Sequence, residues 1–291
     1  MFSLNFRRSV FTILLSWDLL GISSFFLVLF YNNWDSCRGA INTALTNRLG
    51  DYFMFVFFRG SIFRGFYFFS FSFFSFYLVF LLVLTAFTKR AQFPFRSWLP
   101  KAISAPTPVS SLVHRRTLVT AGLILLINFN FLILQKEISK IILVVGLFTI
   151  FFSSVTALVE EDLKKVVALS TLSQIGFSIL TLGLGLSFLS FVHLVRHALF
   201  KSCLFIQVGY IIHCSFGQQD GRNYSNNGNL PLFIQLQLLI TLFCLCGLIF
   251  SRGAVSKDLI LEMFFFSNKN VFLGLIFFVS VFLTFGYSFR L

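Results

Sequence analysis

Charged side chains are scarce in this sequence. They account for 11% of its 291 residues, whereas hydrophobic residues account for 57%. A soluble domain carries about 25% charged residues, which cover its surface. This shortage excludes a soluble globular protein, and no stretch of the chain is polar enough to form a soluble domain by itself. The composition predicts an all-α membrane protein whose surface is covered by lipid.

Motifs for covalent or metal chemistry are also missing. The sequence has no CxxC pair, and its five cysteines lie in or near apolar runs, which is typical of buried, inert thiols. They are Cys37, Cys203, Cys214, Cys244 and Cys246. A nucleophile–base constellation, a phosphate-binding loop and a haem-ligating pattern are lacking as well. We therefore expect no metal site.

The net charge of +13 indicates an anionic partner such as lipid headgroups or nucleic acid. However, the basic residues are scattered, as at Arg7, Arg59, Arg96 and Arg196, and form no patch. This spread argues against nucleic acid and leaves membrane lipid as the expected partner.

Apolar segments of about 20 residues, enough to cross a bilayer, occur nine times. They are 10–30, 52–70, 74–93, 109–131, 139–159, 163–186, 188–213, 231–255 and 270–288. The first resembles a signal sequence, but its apolar run continues to Tyr31, which favours a spanning helix. The polar loop at 216–231 is the only stretch typical of an aqueous linker. The fold prediction is a polytopic bundle of about nine transmembrane helices.

Two of these spans contain helix breakers. Four of the five prolines fall between 94 and 108. Pro94 cannot donate to the carbonyl one turn earlier and its ring clashes there, so the third span should break just after Lys89. In the eighth span, Gly247 and Gly253 precede Lys257 and weaken the helix there.

The two interrupted spans are five helices apart, which indicates two structural repeats with a transport site at the breaks. The first repeat is predicted at 1–135, with its broken helix near 89–100. The second is predicted at 136–291, with its broken helix near 247–262. Paired broken helices of this kind occur in transporters that are built from inverted repeats. The alternative is that proline and glycine are simply common in membrane helices.

Ionisable side chains inside spans mark proton or ion paths, because burying a charge in a membrane is costly. Here they are Asp18, Lys89, His114, His193, His197, Lys201 and Lys257, with Asp258 as a secondary candidate. Asp18 and Lys89 lie in different spans. If they meet, the carboxylate would keep the lysine charged, and their separation would release its proton.

One helical face should carry His193, His197 and Lys201, because their spacing is i, i+4, i+8. Histidine changes charge near neutral pH, and burial brings lysine toward that range, so these groups favour a proton ladder. The alternative is structural histidines bonded to carbonyls. The histidines have no acidic or cysteine partner nearby, so they are not expected to bind metal.

A charged cluster with its acids first lies at the start of the sixth span. It comprises Glu160, Glu161, Asp162, Lys164 and Lys165. Acids suit the positive end of the helix dipole, which favours an interfacial cap. Lys164 and Lys165 remain secondary candidates for the proton pathway.

Several stretches between about 14 and 262 resemble chain 5 of mitochondrial NADH:ubiquinone oxidoreductase, a family of antiporter-like subunits of respiratory complex I. They are WDLLGISSFFLVLFY, TALTNRLGD, TKRAQFPFRSWLPKAISAPTPVSSLVH, TLVTAG, EEDLKKVVALSTLSQIGF, HALFKSCLF, IIHCSFGQQDGRN and SKDLILE. The proline-rich stretch and TLVTAG are highly specific. The resemblance covers nearly the whole chain, in family order.

The resemblance implies a proton-translocating subunit in the mitochondrial inner membrane, with other membrane-arm subunits as partners. NADH, FMN, iron–sulfur clusters and ubiquinone would belong to other subunits, so this chain would bind none of them and hold no catalytic redox centre. Asp18 falls on the acidic position of the family's first pair and Lys89 on the lysine of its broken helix. His114, His193, His197 and Lys201 fall on the central hydrophilic axis. Lys257 falls on the exit lysine of the second broken helix.

Arginine is the main departure from the family. It stands where the family has serine or another small residue, at Arg90, Arg96, Arg115, Arg116 and Arg196. Family chains are also longer, and their second broken helix carries a proline that GLIFSRGAVSKD lacks. Many invertebrate mitochondria read AGA and AGG as serine. Our hypothesis is that the sequence is a mitochondrial gene translated in the wrong genetic code.

Three interpretations remain open at this point. The first is the proton-translocating subunit of complex I. The second is a stand-alone, multi-subunit cation/proton antiporter with the same broken helices and lysines. The third is a non-functional truncated reading frame, such as a drifted nuclear copy. The organellar composition and the stretches TALTNRLGD and HCSFGQQDGRN favour the first.

Overall fold

The computed structural model describes residues 10–63, 76–101, 118–224, 230–248, 251–267 and 270–291. The α-helices of these segments are α1 (Val10–Val28), α2 (Trp34–Phe63), α3 (Phe76–Lys89), α4 (Trp98–Lys101), α5 (Leu118–Asn128), α6 (Asn130–Ile133), α7 (Lys136–Val159), α8 (Leu163–Gly183), α9 (Ser187–Cys214), α10 (Leu232–Cys246), α11 (Arg252–Ser267) and α12 (Val271–Arg290). Short 3-10 turns follow α1 and precede α10. The predicted pathway residue His114, with Arg115 and Arg116, lies outside the described residues.

The all-α membrane fold is confirmed. Five helices of the described segments are long and apolar enough to cross a membrane: Phe11–Tyr31, α7, α8, α9 and α12. Two shorter apolar helices, α3 and α10, end at the two predicted breaks. The prediction of a polytopic bundle therefore holds.

The start of the second span was predicted wrongly. It was placed at residue 52, whereas α2 begins at Trp34 and is 30 residues long. Its first half contains Asp35, Arg38 and Arg48, which lower the hydropathy and hide the helix. A buried stripe at helical spacing nevertheless runs along the helix, from Ser36 to Phe58. The buried members are Ser36, Ala40, Thr43, Asn47, Asp51, Met54, Phe57 and Phe58.

The first predicted break is confirmed. Helix α3 ends at Lys89, and the chain turns through Ala91 at φ 54° before the Phe93–Pro94 peptide, which is cis. The indole Nε1 of Trp98, the first residue of α4, donates to the carbonyl oxygen of Thr88 at 3.0 Å. This bond satisfies one of the carbonyls that the end of α3 leaves without an intrahelical partner.

The second break also lies where it was predicted, and glycine rather than proline forms it. Helix α10 ends at Cys246, and Gly247 follows in the left-handed region at φ 75°, where glycine has no steric cost. Helix α11 begins at Arg252. A Cβ atom on Gly253 would lie 1.9 Å from the carbonyl oxygen of Cys244, so this approach of α11 to α10 requires glycine.

Helix α8 is the centre of the bundle and packs against α4, α7, α9 and α12. Its contact with α7 is close because glycines of α8 lie at the interface, as is common between membrane helices. A Cβ on Gly176 would lie 2.6 Å from Cγ1 of Ile150, and one on Gly183 would lie 2.8 Å from the backbone nitrogen of Leu143. The predicted boundary between repeats, 135/136, coincides with the start of α7. The repeat relation itself remains a prediction.

Candidate functional site

Lys89 is fully buried at the end of α3, where the helix break leaves its side chain among α1 and α2. Its Nζ lies 3.7 Å from Oδ1 of Asp51 on α2. The same ammonium lies 3.5 Å from the carbonyl oxygen of Trp17 and 5.0 Å from the centroid of the Trp17 ring. A charged lysine is thus held by one buried carboxylate, one carbonyl and one aromatic face.

The predicted direct pairing of Asp18 with Lys89 is wrong, because Asp51 occupies that place. Asp18 lies one step further out: Nη1 of Arg48 is 4.0 Å from Oδ1 of Asp18 and 3.6 Å from Oδ2 of Asp51. Arg48 is exposed and Asp18 is half-exposed, so this part of the cluster reaches the protein surface. The order is Asp18, Arg48, Asp51, Lys89, with alternating charge.

Two of the three ladder residues on α9 point to different neighbours. Nδ1 of His193 lies 3.2 Å from Oγ of Ser256 on α11, and the ring packs edge-on against Phe177 at 6.2 Å. Lys201 is fully buried and its Nζ donates to Oγ of Ser170 on α8. His197 lies between them and is half-buried. Eight residues on a helix rotate the face by about 80°, which accounts for the divergence.

Lys257 is bound by the break in the second interrupted helix. Its Nζ donates to the carbonyl oxygens of Leu245 at 2.8 Å and Cys246 at 2.9 Å, and lies 3.4 Å from Oγ1 of Thr284. These carbonyls end α10 and carry the negative end of its dipole. In the described segments no carboxylate oxygen lies within salt-bridge distance of Lys257 or Lys201.

A small cavity of about 20 Å³ lies among the ionisable side chains of α9 and α11, which we call the second site. Its walls include His193, His197, Lys201, Lys257 and Gln174. The Nε2 atoms of the two histidines and of Gln174 are buried without a hydrogen-bond partner in the described protein. A polar cavity of this size accommodates one water molecule, which could bond to two or more of these atoms.

Arg90 lies next to Lys89 and is fully buried. Its Nη2 donates to Oγ of Ser178 on α8 at 2.8 Å, while Nε and Nη1 have no partner in the described structure. Its Cγ lies against Gly122 of α5, where a Cβ would be 2.7 Å away. The carbonyl oxygen of Ser178 accepts from Oγ of Ser190, one turn before His193 on α9. Polar groups therefore continue from the first break toward the second site.

The secondary candidates lie in different surroundings. Asp258 is exposed, whereas Lys164 is buried at the start of α8. Lys165 forms an ion pair with Asp162 at the end of the bundle. The hydrogen bond from Lys165 lowers the pKa of the Asp162 carboxyl from its ordinary value of 3.8, against a smaller opposing effect of burial. Asp162 is the N-cap residue of α8, but its side chain makes no capping hydrogen bond, so the interfacial cap stays a prediction.

Sequence reasoning missed several residues that contact the predicted ones. They are Arg48, Asp51, Ser170, Gln174, Ser256 and Thr284. One signal was available, since Thr43, Asn47 and Asp51 form a polar stripe at i, i+4, i+8. The hydroxyl groups gave no signal, because serine and threonine are common on membrane helices. Among the described residues, no group of three His, Cys, Asp or Glu side chains is arranged to hold a metal ion.

Apolar helices broken beside buried lysines are typical of antiporter-like membrane proteins. A family described as NADH:quinone oxidoreductase/Mrp antiporter, transmembrane region, matches residues 8–284. The chain belongs to this family. The resemblance inferred from the sequence motifs is thereby confirmed.

Relatives with high identity are named NADH-ubiquinone oxidoreductase chain 5. The one from Caenorhabditis elegans is 79% identical over 291 residues, which is 100% of this chain and 55% of that protein. The one from Ascaris suum is 71% identical, again over 100% of this chain and 53% of that protein. The chain thus spans about half the length of these relatives.

Two solved structures have the same fold. A chain of the Mrp complex from Dietzia sp. superposes with a TM-score of 0.87 at 26% identity, covering 99% of this chain and 34% of that one. A chain of the membrane-bound sulfane sulfur reductase, an archaeal respiratory membrane complex, gives a TM-score of 0.84 at 20% identity, covering 97% of this chain and 61% of that one. At that identity the second match concerns the fold alone.

Proposed function

We propose that this chain is the central part of a proton-translocating membrane subunit of respiratory complex I. The observation that carries the proposal is a set of three buried lysines. Lys89 and Lys257 lie at the two helix breaks, and Lys201 donates to a serine hydroxyl of α8. Lys89 has a buried carboxylate partner, whereas among the described residues Lys201 and Lys257 contact only neutral acceptors. Buried lysines without fixed counter-ions can exchange protons at moderate pH.

At the first site, formed by Lys89, Asp51, Arg48 and Asp18, the counter-ion of Lys89 would control its proton. Asp51 stabilises the charged form of Lys89 in a medium where an unpaired charge is costly. Arg48 competes for the same carboxylate. If Asp51 turns toward Arg48, Lys89 loses its partner and its proton becomes easier to release. Two arrangements of one carboxylate would then alternate the proton affinity of Lys89.

The second site would carry the proton along α9 and onto α11. The proton would pass from Lys201 to His197 and then to His193. His193 contacts Ser256 on α11, which is the residue next to Lys257. Water in the 20 Å³ cavity would connect the nitrogens that lack a protein partner. The carbonyls that end α10 would hold the ammonium of Lys257 until the proton leaves.

Electron transfer would take place elsewhere in the complex. The relatives are named as chains of NADH-ubiquinone oxidoreductase, so NADH, FMN, iron–sulfur clusters and ubiquinone would be bound by other subunits. The partners would be other membrane-arm subunits and lipid, with no nucleic acid. The location would be the mitochondrial inner membrane. Proton movement through this chain would be driven by conformational change received from its neighbours.

A stand-alone cation/proton antiporter is the second candidate. The superposition with a chain of an Mrp complex supports it, since 99% of this chain superposes on 34% of that one. The identity of 71% and 79% with complex I chains, against 26% with the Mrp chain, supports the first proposal more strongly. Sodium-dependent proton exchange in vesicles, without NADH, would favour the antiporter.

The proposal is tested with Lys257→Ala in the full-length subunit, assembled in complex I and reconstituted into vesicles. We expect NADH-driven proton uptake to fall at least fivefold per NADH oxidised, while the complex still assembles. The control is Lys140→Ala, because Lys140 is exposed and pairs with Glu137 on the helix surface. Normal uptake in Lys257→Ala would overturn the assigned role.

A further inference from the structure

A large cavity lies beside the second break, between α8, α9, α10 and α12. We call it the lateral cavity. Its volume is about 700 Å³, which is within the range of small-molecule binding sites. The small cavity beside His193 and Lys257 measures only about 20 Å³. Nothing in the proposed proton pathway uses it.

The walls of the lateral cavity are apolar. Helices α9 and α10 contribute rows at helical spacing, such as Val208 and Ile211 facing Leu238 and Leu242, and α8 adds Val166. An empty space of this size would lose the contacts of its lining, and water gains little from apolar walls. The occupant that satisfies this lining is a hydrocarbon chain.

The rim of the lateral cavity carries charges of both signs. Its lining includes Glu160, Glu161, Arg222 and Arg290, which lie close to one another. Arg222 is paired with Glu161, and Arg290 donates to the carbonyl oxygen of Leu158. Each guanidinium has five N–H donors, so both retain donors for a phosphate. The balance of charge at the rim matches a zwitterion better than an anion.

Two polar residues in the lining of the lateral cavity adjoin the second break. Sγ of Cys246 lies 2.7 Å from Oγ of Ser288, and both residues line the cavity. The carbonyl oxygen of Cys246 accepts from Lys257. A hydrocarbon chain in the cavity would therefore reach the residues beside the break.

We propose that the lateral cavity binds one acyl chain of a zwitterionic phospholipid with a primary ammonium. The phosphate accepts from Arg290 and Arg222, and the ammonium donates to Glu160 and Glu161. The acyl chain lies between α9 and α10, with its end near Cys246. Phosphatidylglycerol, which is anionic, binds less well, because its neutral glycerol headgroup offers no cation to the two carboxylates.

The test uses the full-length subunit in vesicles that contain phosphatidylethanolamine with a diazirine at the end of one acyl chain. After illumination, mass spectrometry should find the lipid on the peptide containing Leu242 to Cys246. We expect the double variant Val208→Trp, Leu238→Trp to reduce this labelling at least fivefold, since both side chains fill the cavity. The control is Ile206→Trp, Leu236→Trp on the outer faces of the same helices, which are 65% and 52% exposed. It should leave the labelling unchanged.

Competition with unlabelled lipids tests the headgroup. Phosphatidylethanolamine should displace the probe at concentrations severalfold lower than phosphatidylglycerol, and Glu160→Gln should reduce that preference. Equal labelling in the cavity-filled and control variants would overturn the site. No labelling near Cys246, or labelling of another segment of the subunit that occupies the cavity, would overturn it too. Preference for the anionic lipid would overturn the headgroup assignment.

Discussion

Lys89 and Asp51 form a buried ion pair at the end of the first interrupted helix, with 3.7 Å between Nζ and Oδ1. Both side chains are almost completely buried, whereas Asp18, which is further out, is half-exposed. The pair joins α3 to α2 at the point where α3 can extend no further. Its two charges depend on each other, because a buried charge without a partner is strongly destabilising.

This relationship predicts different effects for the two aspartates. Asp51→Asn removes the only carboxylate within 4 Å of Lys89 in the described structure, so we expect proton uptake by reconstituted complex I to fall at least fivefold. Asp18→Asn leaves that pair intact and should reduce uptake by less than twofold. Uptake per NADH oxidised measures both. A larger loss in Asp18→Asn would mean that Asp18, not Asp51, controls Lys89.

If the contact between His193 and Ser256 carries protons, removing the Ser256 hydroxyl should slow proton transfer. Ser256→Ala deletes the hydroxyl that lies 3.2 Å from Nδ1 of His193, and we expect a three- to tenfold loss of proton uptake with assembly unchanged. Ser280→Ala is the matched control, since Ser280 is equally buried on the neighbouring helix and bonds to the carbonyl of Phe277 in its own helix. Similar losses in both variants would point to a packing effect.

The close approach of Gly253 to α10 predicts that a larger residue at this position destabilises the protein. Gly253→Ala places a Cβ against the backbone oxygen of Cys244, which cannot move without shifting α10. We expect the free energy of unfolding to fall by about 1–3 kcal/mol, the usual cost of overpacking. Gly274→Ala is the control, because its nearest contact is an ordinary 3.4 Å from a Phe265 ring atom. Thermal unfolding of the full-length subunit in detergent measures both, and equal midpoints would contradict the expectation.

The surroundings of Arg90 lead to a prediction about which amino acid the native protein carries at this position. A mid-membrane arginine costs about 2.5–3.5 kcal/mol, and two nitrogens of Arg90 have no partner in the described structure. A serine hydroxyl there could bond to the carbonyl one turn earlier. We expect mass spectrometry of the native subunit to find Arg90→Ser and Arg96→Ser.

Arg48 is the internal control for this measurement. It pairs with two aspartates and should be arginine in the same sample. Arginine at position 90 would refute the wrong-code hypothesis. The absence of any peptide from the chain would favour a non-functional reading frame.

The sequence by itself determined the membrane class, most of the helices and both breaks. Lipid is the only solvent that tolerates 11% charge over 291 residues, and Pro94 and Gly247 act through local backbone geometry. Local rules therefore suffice for these features. They also identified Lys89, Lys201 and Lys257 as buried lysines, because a lysine inside an apolar run avoids lipid by pointing into the protein.

The tertiary structure alone decided which groups meet. Asp51 rather than Asp18 pairs with Lys89 because the buried stripe of α2 faces α3, and this depends on how two helices rotate against each other. The same holds for Ser256 beside His193 and for the carbonyls that bind Lys257. The lateral cavity is also a tertiary feature, since four helices and the loops that adjoin them contribute its lining. Contacts between distant helices depend on packing, which the spacing of residues along one helix does not specify.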